Sequence, residues 1–123
     1  ATPEGNVHEL PIMIAEIICN ANRISTNYLG ASHPAECLSE AVNALKCKTI
    51  VMGVISSAQW NYEKNIVPYL ESMDKYLKNN VKVLLGGGRE VDFPEFKNIE
   101  NVKVIKSFED FDEMLIELKY SLK

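Results

Sequence analysis

The sequence predicts an α/β domain: a three-layer sandwich with helices on both faces of a parallel sheet. Three observations carry this. Thr49-Ile50-Val51-Met52-Gly53-Val54-Ile55 is an almost unbroken apolar run, the mark of a strand covered on both faces. Amphipathic helical patterns alternate with such runs, which implies parallel strands joined by right-handed crossovers. A length of 123 residues, 46% of them hydrophobic, makes one domain over residues 1–123 with a core that needs no metal or disulfide staple.

The chain opens at Ala1-Thr2-Pro3, where the strand before a helix-led unit would finish. The expectation is therefore a missing first strand, and a chain that is a piece of a larger protein. A short polar loop, Glu4 to Glu9, holds His8 and runs into a helix. Leu10, Met13, Ile14, Ile17, Ile18 and Ala21 recur at three-four spacing and are expected to form its buried face. Pro11 fits only in the first turn, where its missing N–H costs nothing. Asn22-Arg23 ends that helix, and Ile24 to Leu29 reads as a strand closed by Gly30.

Pro34 stands at or near the start of a second helix, with Glu36 at its positive dipole end and Leu38, Ala41, Val42 and Leu45 as the buried stripe. The strand from Thr49 follows. A polar loop, Ser56-Ser57-Ala58-Gln59, leads to a third helix whose stripe is Ile66, Val67, Leu70, Met73 and Leu77. Pro68 either kinks it or marks where its regular part begins. Val81 to Leu85 is the next strand and stops at Gly86-Gly87-Gly88. Val91 to Asn101, with Pro94 inside it, reads as irregular, and Val102 to Ile105 is a last short strand. Ser107 caps a final helix, Asp110 completes a capping box, and Phe108, Phe111, Met114, Leu115, Leu118 and Leu122 are its core residues. The whole is a flavodoxin-like arrangement.

A net charge of −4 argues against DNA or an anionic membrane as the direct partner of this chain. Cys19, Cys37 and Cys47 are an odd number at unpatterned spacings and read as buried thiols in a reducing compartment. No apolar run approaches ~20 residues and no signal peptide is visible, so a cytoplasmic domain is expected. Several chemistries fail by residue. Gly53-Val54-Ile55-Ser56 lacks the strand-end aspartate of a phospho-receiver. Gly86-Gly87-Gly88-Arg89-Glu90 lacks the Gly-Lys-Ser/Thr ending of a P-loop, and no dinucleotide fingerprint follows a first strand. His8 and His33 lie on different loops, without zinc-site spacing. Nothing reads as a self-contained catalyst. His33 beside Pro34 is a helix-start residue, Trp60 a packing residue, and the charges at Glu63, Lys64, Glu71 and Lys75 a solvated helix face.

Asn6-x-His8-x-x-Pro11 resembles, in altered form, the Asp-x-His-x-x-Gly signature of cobalamin-binding domains. Tyr28-Leu29-Gly30-Ala31 followed by Pro34, Glu36 and Leu38 is similar to the segment after the second strand of that family, and Val83-Leu84-Leu85-Gly86-Gly87 to its strand ending in Gly-Gly. In order and spacing the resemblance covers essentially the whole chain. It is nearest to the sensor domains of MerR-type, light- or cobalamin-responsive transcriptional regulators. The resemblance implies a cobalamin-binding sensory domain, non-catalytic, with DNA reached only through an upstream domain.

It further implies that His8 is the cobalt ligand and Asn6 its orienting partner. Gly53, Ser56, Ser57, Gly86 and Gly87 would wall the slot for the cofactor's nucleotide tail. From spacing alone, His8 reads instead as a loop histidine packing on or capping the first helix. Two departures stand out. Asn6 replaces a charged residue and Pro11 a glycine, so Asn6→Asp and Pro11→Gly are expected to tighten binding. Two other functions fit the same fold: a degenerate domain serving oligomerisation or partner binding, and a cobalamin carrier module of a mutase or methyltransferase.

Overall fold

The structure is a computed structural model and describes residues 1–121. Its elements are α1 (Leu10–Ala21), α2 (Ala35–Leu45), β1 (Thr49–Gly53), α3 (Tyr62–Tyr76), β2 (Val81–Gly86), β3 (Ile99–Ile105) and α4 (Phe108–Ser121). The strands form a parallel sheet in the order β1-β2-β3. Alternation along them sends Ile50, Met52, Val54, Val81, Val83 and Leu85 into one core with Leu38 and Val42 of α2 and Ile66, Leu70 and Met73 of α3. Leu84 and Ile105 face the other way, against Ala15 and Cys19 of α1 and Phe111 and Leu115 of α4. Helices therefore cover both faces, and the three-layer α/β sandwich is the observed fold.

Residues 1–3 extend the sheet beyond β1. Ala1 N donates to Val51 O at 3.1 Å, Gly53 N donates to Ala1 O at 2.9 Å, and Pro3 bridges in parallel to His33. The chain leaves Pro3 for α1 on one face and β1 for α3 on the other. The crevice between Ala1–Pro3 and β1 is thus where successive connections part to opposite faces, the usual ligand position in open parallel sheets.

Several expectations are corrected. Ile24–Leu29 is not a strand: its side chains hold on by surface hydrogen bonds, Thr26 to Glu16 at 3.3 Å and Tyr28 to Glu9 at 3.0 Å. With Ser25 and Asn27 on one alternate face, Asn being a poor strand residue, it offers too little apolar surface on that side to be drawn into the sheet.

The stripe on α1 is also different. Ile12, Ala15 and Cys19 are buried, whereas Leu10, Met13, Ile17 and Ala21 are exposed. Ten of its twelve residues are apolar, so periodicity alone cannot choose a face. Small residues decide it, since Ala15 and Cys19 let α1 approach β1 closely. Leu45 and Phe108, each at a helix end, are likewise exposed rather than core, as is Cys37, while Cys47 is half-buried and only Cys19 is a buried thiol. Finally β3 begins at Ile99, three residues before its expected start, after an irregular run.

Pro68 sits inside an α3 that starts at Tyr62, so the proline does not mark its beginning. The N–H it lacks would have served Lys64 O, on an exposed turn where water can replace it. Asn61 caps the helix, accepting from Lys64 N at 2.9 Å. Ser107 Oγ accepts from Asp110 N at 3.0 Å, and Asp110 reaches back to Lys106 N at 3.2 Å, one residue beyond the expected box. Leu122 lies outside the described residues.

At the far end of α3, the Asp74 carboxylate accepts the backbone N–H groups of Lys97, Asn98 and Ile99 at 2.9, 2.5 and 3.0 Å, fixing the entry to β3. Asp74→Ala is expected to cost about 2–3 kcal/mol in urea unfolding, because it strands three donors at once. Asp74→Asn keeps acceptor capacity and should cost less.

Candidate cofactor cleft

The carboxyl ends of β1 and β2 end on glycine, and Gly53 pairs with Gly86 in register. Around them opens an apolar cleft of about 250 Å³ between α1 and α4. Pro11, Ile12 and Ala15 form one wall and Ile105 to Phe108 with Phe111 the other; Gly53, Ile55, Gly86 and Gly87 make its floor and rim. Each glycine has a separate reason to be one. A Cβ on Gly53 would stand 3.0 Å from Ile12 Cγ2. Gly87 has φ +85°, and a Cβ there would fall 2.3 Å from Ile55 Cγ1. Gly86 differs, because a Cβ would meet nothing nearer than Met52 O at 3.7 Å. Its hydrogen atoms border space that the fold itself does not need.

His8 lies on the same rim. Its carbonyl oxygen is 3.8 Å from the Cβ position of Gly53, while its ring is exposed and has no hydrogen-bond partner among the described residues. The loop beneath it is rigidly built. Asn6 is fully buried, its amide nitrogen donating to Ile55 O at 3.0 Å and its side-chain oxygen accepting from His8 N at 3.2 Å. Asn6 thus spans the crevice between the Pro3 and β1 connections. Thr2, also buried, donates its hydroxyl to Asn6 O and accepts from Ser32 N at 2.6 Å. Gly5 N donates to Ser32 Oγ at 3.1 Å, so the segment around Ser32 holds the histidine loop from the side.

Of the expected site residues, Gly53, Gly86 and Gly87 come together on the cleft, and His8 and Asn6 sit beside it. Ser56 and Ser57 do not line it. Ser56 Oγ accepts from Tyr62 N at 2.9 Å and Ser57 Oγ from Trp60 N at 3.2 Å, so both serve the turn into α3. Asn6 engages the backbone of His8 rather than its ring. Its donor on Ile55 O has no counterpart in a carboxylate, which removes the basis for expecting Asn6→Asp to tighten binding.

Sequence reading missed the β3–α4 wall, although the carboxyl end of any parallel strand is a candidate rim. It also missed Thr2, which has no motif and declares itself only by its partners. Behind the rim, Tyr62 packs under Gly88 and donates to Arg89 O at 2.7 Å, and burial pushes its phenol up from the ordinary value.

Among the described residues no group of three or more His, Cys, Asp and Glu could hold a free metal ion, and no helix is long and apolar enough to cross a membrane. No family model, curated protein or solved structure matches this chain.

Proposed function

We propose that the domain is a corrinoid-binding sensory module of a transcriptional regulator, non-catalytic in itself. The observation that carries the reading is the meeting of Gly53, Gly86 and Gly87 on one apolar cleft beside a free imidazole, at the crevice where the connections part. Space and donors both suit such a group. A cleft of about 250 Å³ is just under the size of an ordinary ligand pocket, enough for one flat ring system with the larger macrocycle lying over the rim. A corrin supplies most of the metal's ligands, so a single protein donor suffices. Neutral imidazole is a good ligand for late first-row metals. When bound, the cofactor would supply a cobalt that can exchange a ligand with His8.

The chain's own residues have definite tasks in this reading. His8 presents a ring nitrogen from an exposed loop, and Asn6 holds that loop at the crevice. Gly53 and Gly86 leave backbone room, and Phe108 with Phe111 excludes water from the slot. The Pro11 ring at the cleft wall makes binding weaker than a full signature would give.

Titration with hydroxocobalamin followed by absorbance tests the reading. A Cβ at Gly86 meets nothing nearer than 3.7 Å, so Gly86→Val, whose branches would reach into the slot, is expected to weaken binding roughly tenfold or more, with circular dichroism checking that the fold is kept. Equal binding by Gly86→Val and the parent chain would move the site elsewhere. Absence of binding by either favours the other reading, a degenerate domain used for association, which the close Asn6–Ile55 tie and Pro11 in the wall support.

A further inference from the structure

Among the described residues, nothing packs on the outer face of α1. Val7, Leu10, Met13 and Ile17 are exposed to 65, 67, 49 and 65% respectively, and the last three stand one turn apart on one side of the helix. Together they leave on the order of 400 Å² of apolar surface in water, as large as the biggest patch on an ordinary monomer. Phe108 and Ile116 are also exposed on α4, which packs against α1. A helix of this composition is unusual on a free surface, because only Glu16 among its twelve residues is charged.

We infer that this face is the contact of a homodimer, in which α1 packs antiparallel on α1 of a second copy about a two-fold axis near Met13. Two arguments select a second copy over other occupants. The first is area. With Phe108 and Ile116 included, each copy contributes roughly 600 Å², and an isologous pairing removes about 1,200 Å² in total, the lower end of a stable specific interface.

The second is self-complementarity. The pairing that sets Leu10 against Ile17 of the second copy brings Met13 beside its own counterpart at the axis, so the apolar stripe covers itself. Glu9 and Glu16, which share one edge of the helix, stay at the solvated rim of the contact. Antiparallel alignment also opposes the two helix dipoles favourably. An anionic membrane is a poor alternative for a chain of net charge −4. Dimerisation in this form needs no corrinoid, although Val7 places one end of the interface beside His8.

The test is the mass in solution of the whole chain, without added ligand, by light scattering and sedimentation up to roughly 100 µM, where an interface of this size is populated. Twice the chain mass is expected. Leu10→Lys with Ile17→Lys should weaken association about 100-fold or more with unchanged circular dichroism, since both side chains are mostly in water already. Should that variant not fold, Met13→Cys in a Cys37→Ser background gives an independent reading. Oxidation should then link it into dimers far faster than Glu40→Cys on α2 in the same background. A chain that stays monomeric, a lysine variant that associates like the parent, or cross-linking no faster at Met13 than at Glu40 would each overturn the inference.

Discussion

Gly87→Ala is expected to lower stability by about 2–4 kcal/mol, a large effect for a single methyl group. Two costs add. The backbone at Gly87 has φ +85°, where a side chain is strained, and the new Cβ would lie 2.3 Å from Ile55 Cγ1. The partner is a branched carbon close to its own backbone, whose nitrogen is only 3.4 Å from the same point, so rotation of Ile55 gives partial relief. A double-mutant cycle separates the terms. In an Ile55→Ala background, Gly87→Ala should cost only the conformational part, about 1 kcal/mol. Urea unfolding followed by the fluorescence of buried Trp60 reads both. Equal costs in the two backgrounds would mean that Ile55 does not set the width of the cleft mouth.

Asn6→Asp is expected to destabilise by about 2–4 kcal/mol at neutral pH. The side chain is fully buried and its amide donates to Ile55 O at 3.0 Å. A carboxylate would set an acceptor against an acceptor and bury a charge. Its protonated form can donate to Ile55 O, so the folded-state pKa of this aspartate should rise above its unfolded value of about 3.9. The sign follows: with a raised folded pKa, the variant is closest to the parent below about pH 4 and loses ground as pH rises through the folded pKa. The unfolding midpoints of parent and variant should therefore diverge with rising pH. A constant gap would contradict the buried geometry.

Strand β1 was legible because Thr49–Ile55 is apolar at every position but Thr49 and Gly53, and a doubly covered parallel strand is what tolerates that. The glycine-ended strands and the histidine loop were legible for a related reason, since Gly86-Gly87 and Asn6-x-His8 put special residues where ligand-facing loops begin. Other features were not. The α1 helix carries apolar residues almost all round, and its buried face was chosen by the close approach to β1 that small Ala15 and Cys19 allow, a tertiary contact no periodicity encodes. Ser56 and Ser57 have the chemistry of a binding loop, but their hydroxyls serve the turn into α3. Thr2 and Ser32 are thirty residues apart and meet only because Pro3 bridges to His33.

The measurement that bears most directly on the central claim is the electron paramagnetic resonance spectrum of the cob(II)alamin complex, prepared with histidines carrying nitrogen-15. If His8 is the axial donor, the nitrogen splitting on cobalt must change with the isotope, and His8→Ala must abolish that dependence without altering the fold. His33 provides the internal control: its ring is engaged with Leu29 O, so His33→Gln should leave the splitting intact. A splitting indifferent to the isotope, or a His8→Ala complex identical to the parent's, would contradict the assignment of His8.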